Sequence, residues 1–341
     1  MFGIDPALIV AGVILLALVV YAVTGGADFG GGVWDLLARG PRARKQRDVI
    51  IHAIGPVWEA NHVWMIVVVV LMFVAFPKGF AAVMTALHIP IAIMLIGITL
   101  RGSAFVFRSY GRDSDVDWRR WSRVFAWSST ITPVFLGVVI GAVTRGSITF
   151  DDEGRVQTDF VSDWLAAFPF AVGFMVLALF AFLAATYLTN ETEDAEVQDD
   201  FRARAIAASV AFGVTAAVAG VLSRTEAPHL WHVLAGNPVA IAMQVVTAVV
   251  AAAAIGALWT RRFGVARMLA MAQAVLVILA WGVSQDGHIL VGALTIEDAA
   301  APDAVLKPVI VALGLGMMVL IPSFAYLYRV FKTSDARLPA E

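Results

Sequence analysis

No cysteine occurs among the 341 residues, which excludes a disulfide framework, a thiolate metal site, a Cys-attached haem and a cysteine nucleophile. Charge is scarce too. Asp, Glu, Lys and Arg make up 15% of the chain and leave a net charge of −2, a balance that lacks the basic footprint of a nucleic-acid partner. The first eight residues carry no positive charge, and no small-residue cleavage pattern closes the apolar run that follows, so a cleaved secretory signal is not expected. There is no Gly-Lys-Ser/Thr phosphate loop, no His-Glu-x-x-His, no nucleophile elbow and no triad spacing. Hydrolytic chemistry therefore finds no support.

What the chain has in abundance is apolar surface. Sixty per cent of its residues are hydrophobic and the mean hydropathy is +0.83, far above a soluble domain. Stretches of spanning length fall at about 7–27, 49–76, 80–107, 121–144, 162–188, 204–223, 237–259, 264–285 and 304–331. They predict an all-α polytopic membrane protein of nine transmembrane helices in one domain, residues 1–341, packed as two four-helix bundles plus a peripheral helix. No internal repeat is visible by inspection. Placing the basic loop Arg39 to Arg47 in the cytoplasm and alternating from there puts most of the Lys and Arg inside. The N-terminus is then outside, the C-terminus after Lys332 is inside, and the acidic segment Asp151 to Asp163 is outside. The acidic run Glu191, Glu193, Asp194, Glu196, Asp199, Asp200 reads as a solvated loop leading into a helix, with partner docking as the alternative.

Glu59 stands out because it lies within an apolar stretch, in Gly55-Pro56-Val57-Trp58-Glu59-Ala60-Asn61-His62-Val63-Trp64. If a helix enters near Val49, Glu59 is roughly 15 Å deep, close to the bilayer midplane. Insertion there costs on the order of 2.5–3.5 kcal/mol, which makes an intramembrane acid a functional-site hypothesis. His52, Glu59 and His62 share one side of that helix if Pro56 does not break it. The second informative segment, Thr24-Gly25-Gly26-Ala27-Asp28-Phe29-Gly30-Gly31-Gly32, admits two readings. It is either a close-packed helix crossing with an interfacial acid, or the place where Asp28 feeds protons from the cytoplasmic side to Glu59. Trp58 and Trp64 flank Glu59 inside the span instead of joining an interfacial belt. Arg101 ends the third span, where snorkelling to the cytoplasmic interface is the simpler account and carboxylate pairing the sharper one.

Six histidines are candidate haem ligands: His52, His62, His88, His229, His232 and His288. None has a partner in sequence that declares a site. His88, beside Ile89-Pro90, reads first as a kink histidine bonded to a neighbouring carbonyl, and His229 with His232 as solvated groups of an outer loop.

Taken together, Gly25-Gly26-Ala27-Asp28-Phe29-Gly30, the basic loop, the segment Gly55 to Trp64, Trp281-Gly282-Val283-Ser284-Gln285 and Leu294-Thr295-Ile296-Glu297-Asp298-Ala299-Ala300-Ala301-Pro302 resemble subunit II of the cytochrome bd quinol oxidases. The last two motifs are most similar to the cyanide-insensitive branch. The resemblance covers nearly the whole chain. It implies a nine-helix subunit of a respiratory complex in the bacterial cytoplasmic (inner) membrane that reduces O2 to water with electrons from quinol. A homologous subunit I is expected to hold two b-type haems, one d-type haem and the quinol site, with no haem ligand in this chain. By the same resemblance Asp28 belongs to a cytoplasmic proton path, Glu59 to a polar channel toward the oxygen-reducing haem and Trp64 to an oxygen route. Asp28 and Glu59 are read as steps of one proton path, with Trp58, Asn61 and Arg101 as candidate support around it. Some members carry Asp where this chain has Glu59, and many carry Gln where it has His62, which adds a candidate titrating group. A structural quinone or lipid and small single-helix accessory subunits are further expected partners. The competing hypothesis is a proton-coupled secondary transporter, since buried acids in glycine-interrupted helices suit both.

Overall fold

The computed structural model describes residues 5–55, 58–110 and 115–331. Its elements are α1 (Pro6–Leu37), α2 (Ala43–Ile54), α3 (Trp58–Asn61), α4 (Val63–Ala75), α5 (Pro77–Ala86), α6 (His88–Tyr110), α7 (Asp115–Arg145), β1 (Thr149–Phe150), β2 (Val156–Gln157), α8 (Ala167–Leu188), α9 (Ala195–Glu226), α10 (Pro228–Gly236), α11 (Pro238–Trp259), α12 (Phe263–Ser284), β3 (His288–Leu290), β4 (Leu294–Thr295), α13 (Ile296–Ala299) and α14 (Asp303–Phe331). The fold is all-α, and nine helical segments among the described residues are long and apolar enough to cross a bilayer. The strands form two small antiparallel hairpins, β1 with β2 and β3 with β4.

Local sequence sets where these helices begin. Asp5 before Pro6 accepts the backbone N–H of Ala7, and Asn237 before Pro238 accepts those of Val239 and Ala240. An acceptor side chain followed by proline is the start signal, because the proline occupies a position whose N–H has no helical partner.

Helices α8, α9, α11 and α12 close one four-helix bundle; α1, α4, α6 and α7 make the other, and α14 lies at the periphery against α1 and α4. The bundles join where α1 and α7 meet α8. A Cβ on Gly30 would fall 2.0 Å from the Phe180 carbonyl oxygen, one on Gly26 2.6 Å from the Phe180 ring, and one on Gly137 2.6 Å from Gly173 Cα. Bilayer tails are as apolar as leucine, so close approach through small residues supplies the dispersion energy that holds helices together. The glycine run is thus a helix crossing, and its acid, Asp28, is buried instead of interfacial. The effect of the run on length differs from the expectation: the first helix does not end near residue 27 but continues to Leu37. Packing of Gly30, Gly31 and Gly32 against α8, α2 and α7 outweighs the low helix propensity of glycine.

The second span is interrupted. α2 stops at Ile54, Pro56 and Val57 lie outside the described residues, and a further break at His62 separates α3 from α4. His52, Glu59 and His62 therefore do not form one helical face.

The acidic run after α8 is more than a solvated loop. Asp194 caps α9 through the N–H groups of Glu196 and Val197. Lys45 reaches it at 3.1 Å, and Arg42 grips Asp200 through Nε and Nη2 at 2.8 and 2.7 Å. The basic loop after α1 and the acidic start of α9 are complementary halves of one clamp.

Candidate functional site

The site is built on four elements. From α1 come Tyr21, Asp28 and Phe29; from the break between α3 and α4, Asn61 and His62; from α6, Arg101; and from α7, Phe125. Asp28 is 5% exposed and accepts a hydrogen bond from Asn61 Nδ2 at 2.7 Å. Asn61 is placed there by the short helix α3, whose turn points Trp58 and Asn61 inward while Glu59 stays exposed on the surface of the chain.

Arg101 is 1% exposed, so it does not snorkel. It ends seven residues short of Arg108, inside the bundle, and its guanidinium lies 4.7 Å from the Phe29 ring centroid and within 6 Å of those of Phe125 and Trp58. Stacking of this kind suits the weakly hydrated, planar guanidinium. Asp28 is within electrostatic reach of Arg101. Arg101 Nη1 stands 3.4 Å from His62 Nε2. A guanidinium can only donate, so Nε2 is the acceptor of this long bond and the neutral ring carries its proton on Nδ1. The His62 ring sits in an aromatic cage of Tyr21, Phe29 and Trp58, with centroids 5.8 to 6.3 Å away.

A second buried pair lies one layer nearer the clamp. Arg108 donates from both terminal nitrogens to Asp35, at 2.9 and 3.1 Å, and Arg47 adds a third contact at 3.3 Å. Asp35 follows Asp28 by seven residues on α1, as Arg108 follows Arg101 on α6, and both acid–base pairs share the sequence offset of 73. Two parallel helices in register produce that pattern. Sequence reasoning passed over Asp35, Arg108 and Tyr21; the matched spacing of seven was the signal for the first two.

The remaining candidates are dispersed. Trp64 is buried on α4 with its ring 5.5 Å from that of Phe324 on α14, and its indole N–H has no hydrogen-bond acceptor among the described residues. His52 is exposed at the end of α2. His88 lies with Nδ1 3.0 Å from the Thr85 carbonyl oxygen, the kink geometry expected of it. His229 on α10 and His288 on β3 bring their rings to 5.6 Å. Among the described residues no group of three His, Asp or Glu is disposed to hold a metal ion. The tail motifs act structurally: Trp281 Nε1 and Gln285 Nε2 both donate to Thr144 Oγ1 of α7, and Thr295 caps α13 by accepting from the Asp298 N–H.

Residues 6–331 match the family model for cytochrome bd terminal oxidase subunit II. Among curated relatives, the cytochrome bd ubiquinol oxidase subunit 2 of Bacillus subtilis is 33% identical over 138 residues, 39% of each chain. The putative cytochrome bd menaquinol oxidase subunit II of the same organism is 24% identical over 337 residues, 95% of each. The cytochrome bd-I ubiquinol oxidase subunit 2 of Escherichia coli K12 is 27% identical over 220 residues, 62% of this chain and 55% of that protein. Two of these alignments thus span less than two thirds of the relative. A chain of the bd oxidase from Geobacillus thermodenitrificans superposes with a TM-score of 0.80 at 22% identity, covering 96% of this chain and 99% of that one, which is a likeness of fold.

Proposed function

Because the chain belongs to the cytochrome bd terminal oxidase subunit II family, we propose that its working site is a proton route from the cytoplasm through Asp28 and Asn61 to Glu59, delivering protons to the partner subunit. The chain is a subunit of a bd-type quinol oxidase, an oxidoreductase complex that carries haems and in which subunit II works with a subunit I. It is a multi-pass membrane protein. That class leaves the transporter alternative without an observation in its favour.

The observation that carries the reading is the 2.7 Å bond from Asn61 to Asp28. It ties a buried acid on α1 to the one segment that presents Glu59 outward, so a single turn of α3 links an inward and an outward carboxyl. An exposed acid within an apolar span is costly against lipid, and its surface position supports contact with subunit I. His62 is held as a hydrogen-bond acceptor by Arg101, which supports a positioning part for it more than a titrating one. The haems, two of type b and one of type d, are assigned to subunit I. When bound there they supply the electron transfer to oxygen, while residues here hold and pass protons. The basic residues of the clamp support an orientation with the N-terminus outside and the C-terminus inside.

Oxygen access past Trp64 is supported by its apolar setting against Phe324. A cavity of about 630 Å³ between α1, α7 and the bundle of α8, α9, α11 and α12, walled mostly by apolar side chains with Gln273 and Ser209 among its lining, supports a bound lipid or quinone tail. The test of the central reading is Asp28→Asn in the assembled complex. Quinol oxidase turnover should fall with haem spectra unchanged; wild-type turnover in that variant rejects the route.

A further inference from the structure

Beneath Asp28 lies a cavity of about 150 Å³ that the route described above does not use. A water takes roughly 30 Å³ in the liquid, so the space holds several, provided polar groups line it. Polar groups stand in its lining among apolar ones. Thr24, Ala27, Asp28 and Gly31 of α1 form one wall at the spacing of a single helical stripe; Asn61, Tyr187, Glu191 and Arg267 add further polar groups beside apolar neighbours such as Val23, Ile54 and Leu188. The same cavity therefore has the buried acid of the site in one wall and a second carboxyl, Glu191, in another.

Glu191 is placed there by the turn that ends α8: its N–H donates to the Leu188 carbonyl oxygen at 3.2 Å, which folds the chain back and leaves the residue 8% exposed. Arg267, at the start of α12, stands 3.9 Å from Glu191 Oε1 and has 37% of its side chain exposed. Its guanidinium rests 4.9 Å from the Tyr187 ring centroid, and the Tyr187 hydroxyl is anchored to the Val23 carbonyl oxygen at 3.0 Å. Charged groups that share the cavity with Glu191 include Arg267 from α12 and Asp28 from α1, with Tyr187 of α8 beside it. The Lys45 ammonium of α2 bonds Asp194, three residues on. The Arg267 contact is longer than the two-pronged grip of Arg108 on Asp35.

We propose that Glu191 is the proton-collecting group at the cytoplasmic mouth of a water-filled chamber that supplies Asp28, and that Arg267 is its positioning residue. The chemistry is transfer of a proton from bulk water to the Glu191 carboxylate, along the chamber water, to the Asp28 carboxylate. Charge balances at each step and no redox partner is needed. The acidic run that reads in sequence as a plain loop thereby contributes one member to the route. This inference rests on the reading of Asp28 as a proton carrier.

The experiment uses the full complex in membranes or detergent, with Asp28→Asn, Glu191→Gln, Glu191→Asp and Ala27→Leu compared at saturating quinol and oxygen from pH 5.5 to 9. Proton uptake after an oxygen pulse is followed in parallel with a pH-indicating dye. Glu191→Gln should lower turnover and proton uptake by about tenfold at the alkaline end, less than the roughly hundredfold lost with a donor acting on the reacting group itself. The defect should shrink toward pH 5.5, where hydronium loads the chamber directly, and Glu191→Asp should restore most of the rate. Ala27→Leu, which fills the chamber and removes no charge, should reproduce the alkaline defect with haem spectra intact. Slow Asp28→Asn beside a wild-type pH profile in Glu191→Gln overturns the collecting role and leaves the Asp28 reading standing. Wild-type turnover in Asp28→Asn overturns both. If Glu191→Gln does not assemble, Ala27→Leu decides: an unchanged profile there rejects the chamber.

Discussion

At the scale of single residues, the site separates groups that touch each other from groups that face outward. Buried Asp28, Asn61 and Arg101 form one cluster with the half-buried His62, whereas Glu59 stands on the chain surface. On the proton-route reading, Glu59→Gln keeps size and hydrogen bonding but cannot carry a proton, so turnover at saturating quinol and oxygen should drop with haem spectra preserved. Glu59→Asp should keep much more of the rate. A Gln variant as fast as wild type across the pH range removes Glu59 from the route. Arg101 has a different role. Its guanidinium is buried against the Phe29, Trp58 and Phe125 rings, so Arg101→Met removes desolvated cation–π contacts worth on the order of 2 kcal/mol. Thermal unfolding of the purified complex should start at lower temperature than in wild type, and an unshifted midpoint would show that the stacking carries no such weight.

At the scale of elements, close approach and charge complementarity act in different layers. Gly30 permits α8 to approach α1 to backbone contact, so Gly30→Ala forces a Cβ into the Phe180 carbonyl oxygen and should destabilise by about 1–3 kcal/mol or more. Gly213→Ala, where nothing lies within 4 Å, should leave thermal stability unchanged or slightly improved; equal effects of the two would refute the crossing. In the clamp, the hydrogen bond from Lys45, aided by the backbone N–H groups of α9, holds the Asp194 carboxyl below the usual carboxylate range. A depressed folded-state value stabilises above the unfolded pKa of about 3.9 and loses that contribution as pH falls through the folded value. The first turn of α9 should therefore lose hydrogen-exchange protection below about pH 4. Asp194→Ala should do the same at neutral pH, by about 1 kcal/mol of local stability. Protection that is indifferent to both would show that α9 needs no cap.

At the scale of the whole molecule, much apolar surface is unburied by this chain alone. Ile66, Val69, Val70 and Phe73 form an exposed stripe on α4, and Val311, Leu315, Met318 and Val319 another on α14. Lipid covers such stripes readily, but the exposed Glu59 beside the first is better covered by protein. Expressed without subunit I, the chain should yield no oxygen consumption and should be degraded or aggregate; robust oxygen uptake by the single chain would contradict its place as one subunit of a bd-type quinol oxidase.

Hydropathy by itself determined the class, the number of apolar spans and the all-α fold, because a bilayer admits few ways to satisfy a backbone and each leaves a run of about 20 apolar residues. Motifs around Asp28 and Glu59 carried the family. The depth and direction of side chains were not legible. Glu59 and Asn61 are two residues apart on one turn, so they point to opposite sides, and only the break after Ile54, which resets the helical phase, decides that Asn61 is the one that meets Asp28. Arg101 looked like an interfacial cation because a span's end is where arginine usually escapes to water; only the aromatic rings of Phe29, Trp58 and Phe125, drawn from three other elements, make burial tolerable. Glu191 passed for one acid among six because nothing in its own segment marks the chamber. The walls of that cavity come from helices far apart in sequence, and tertiary packing alone brings them around one volume.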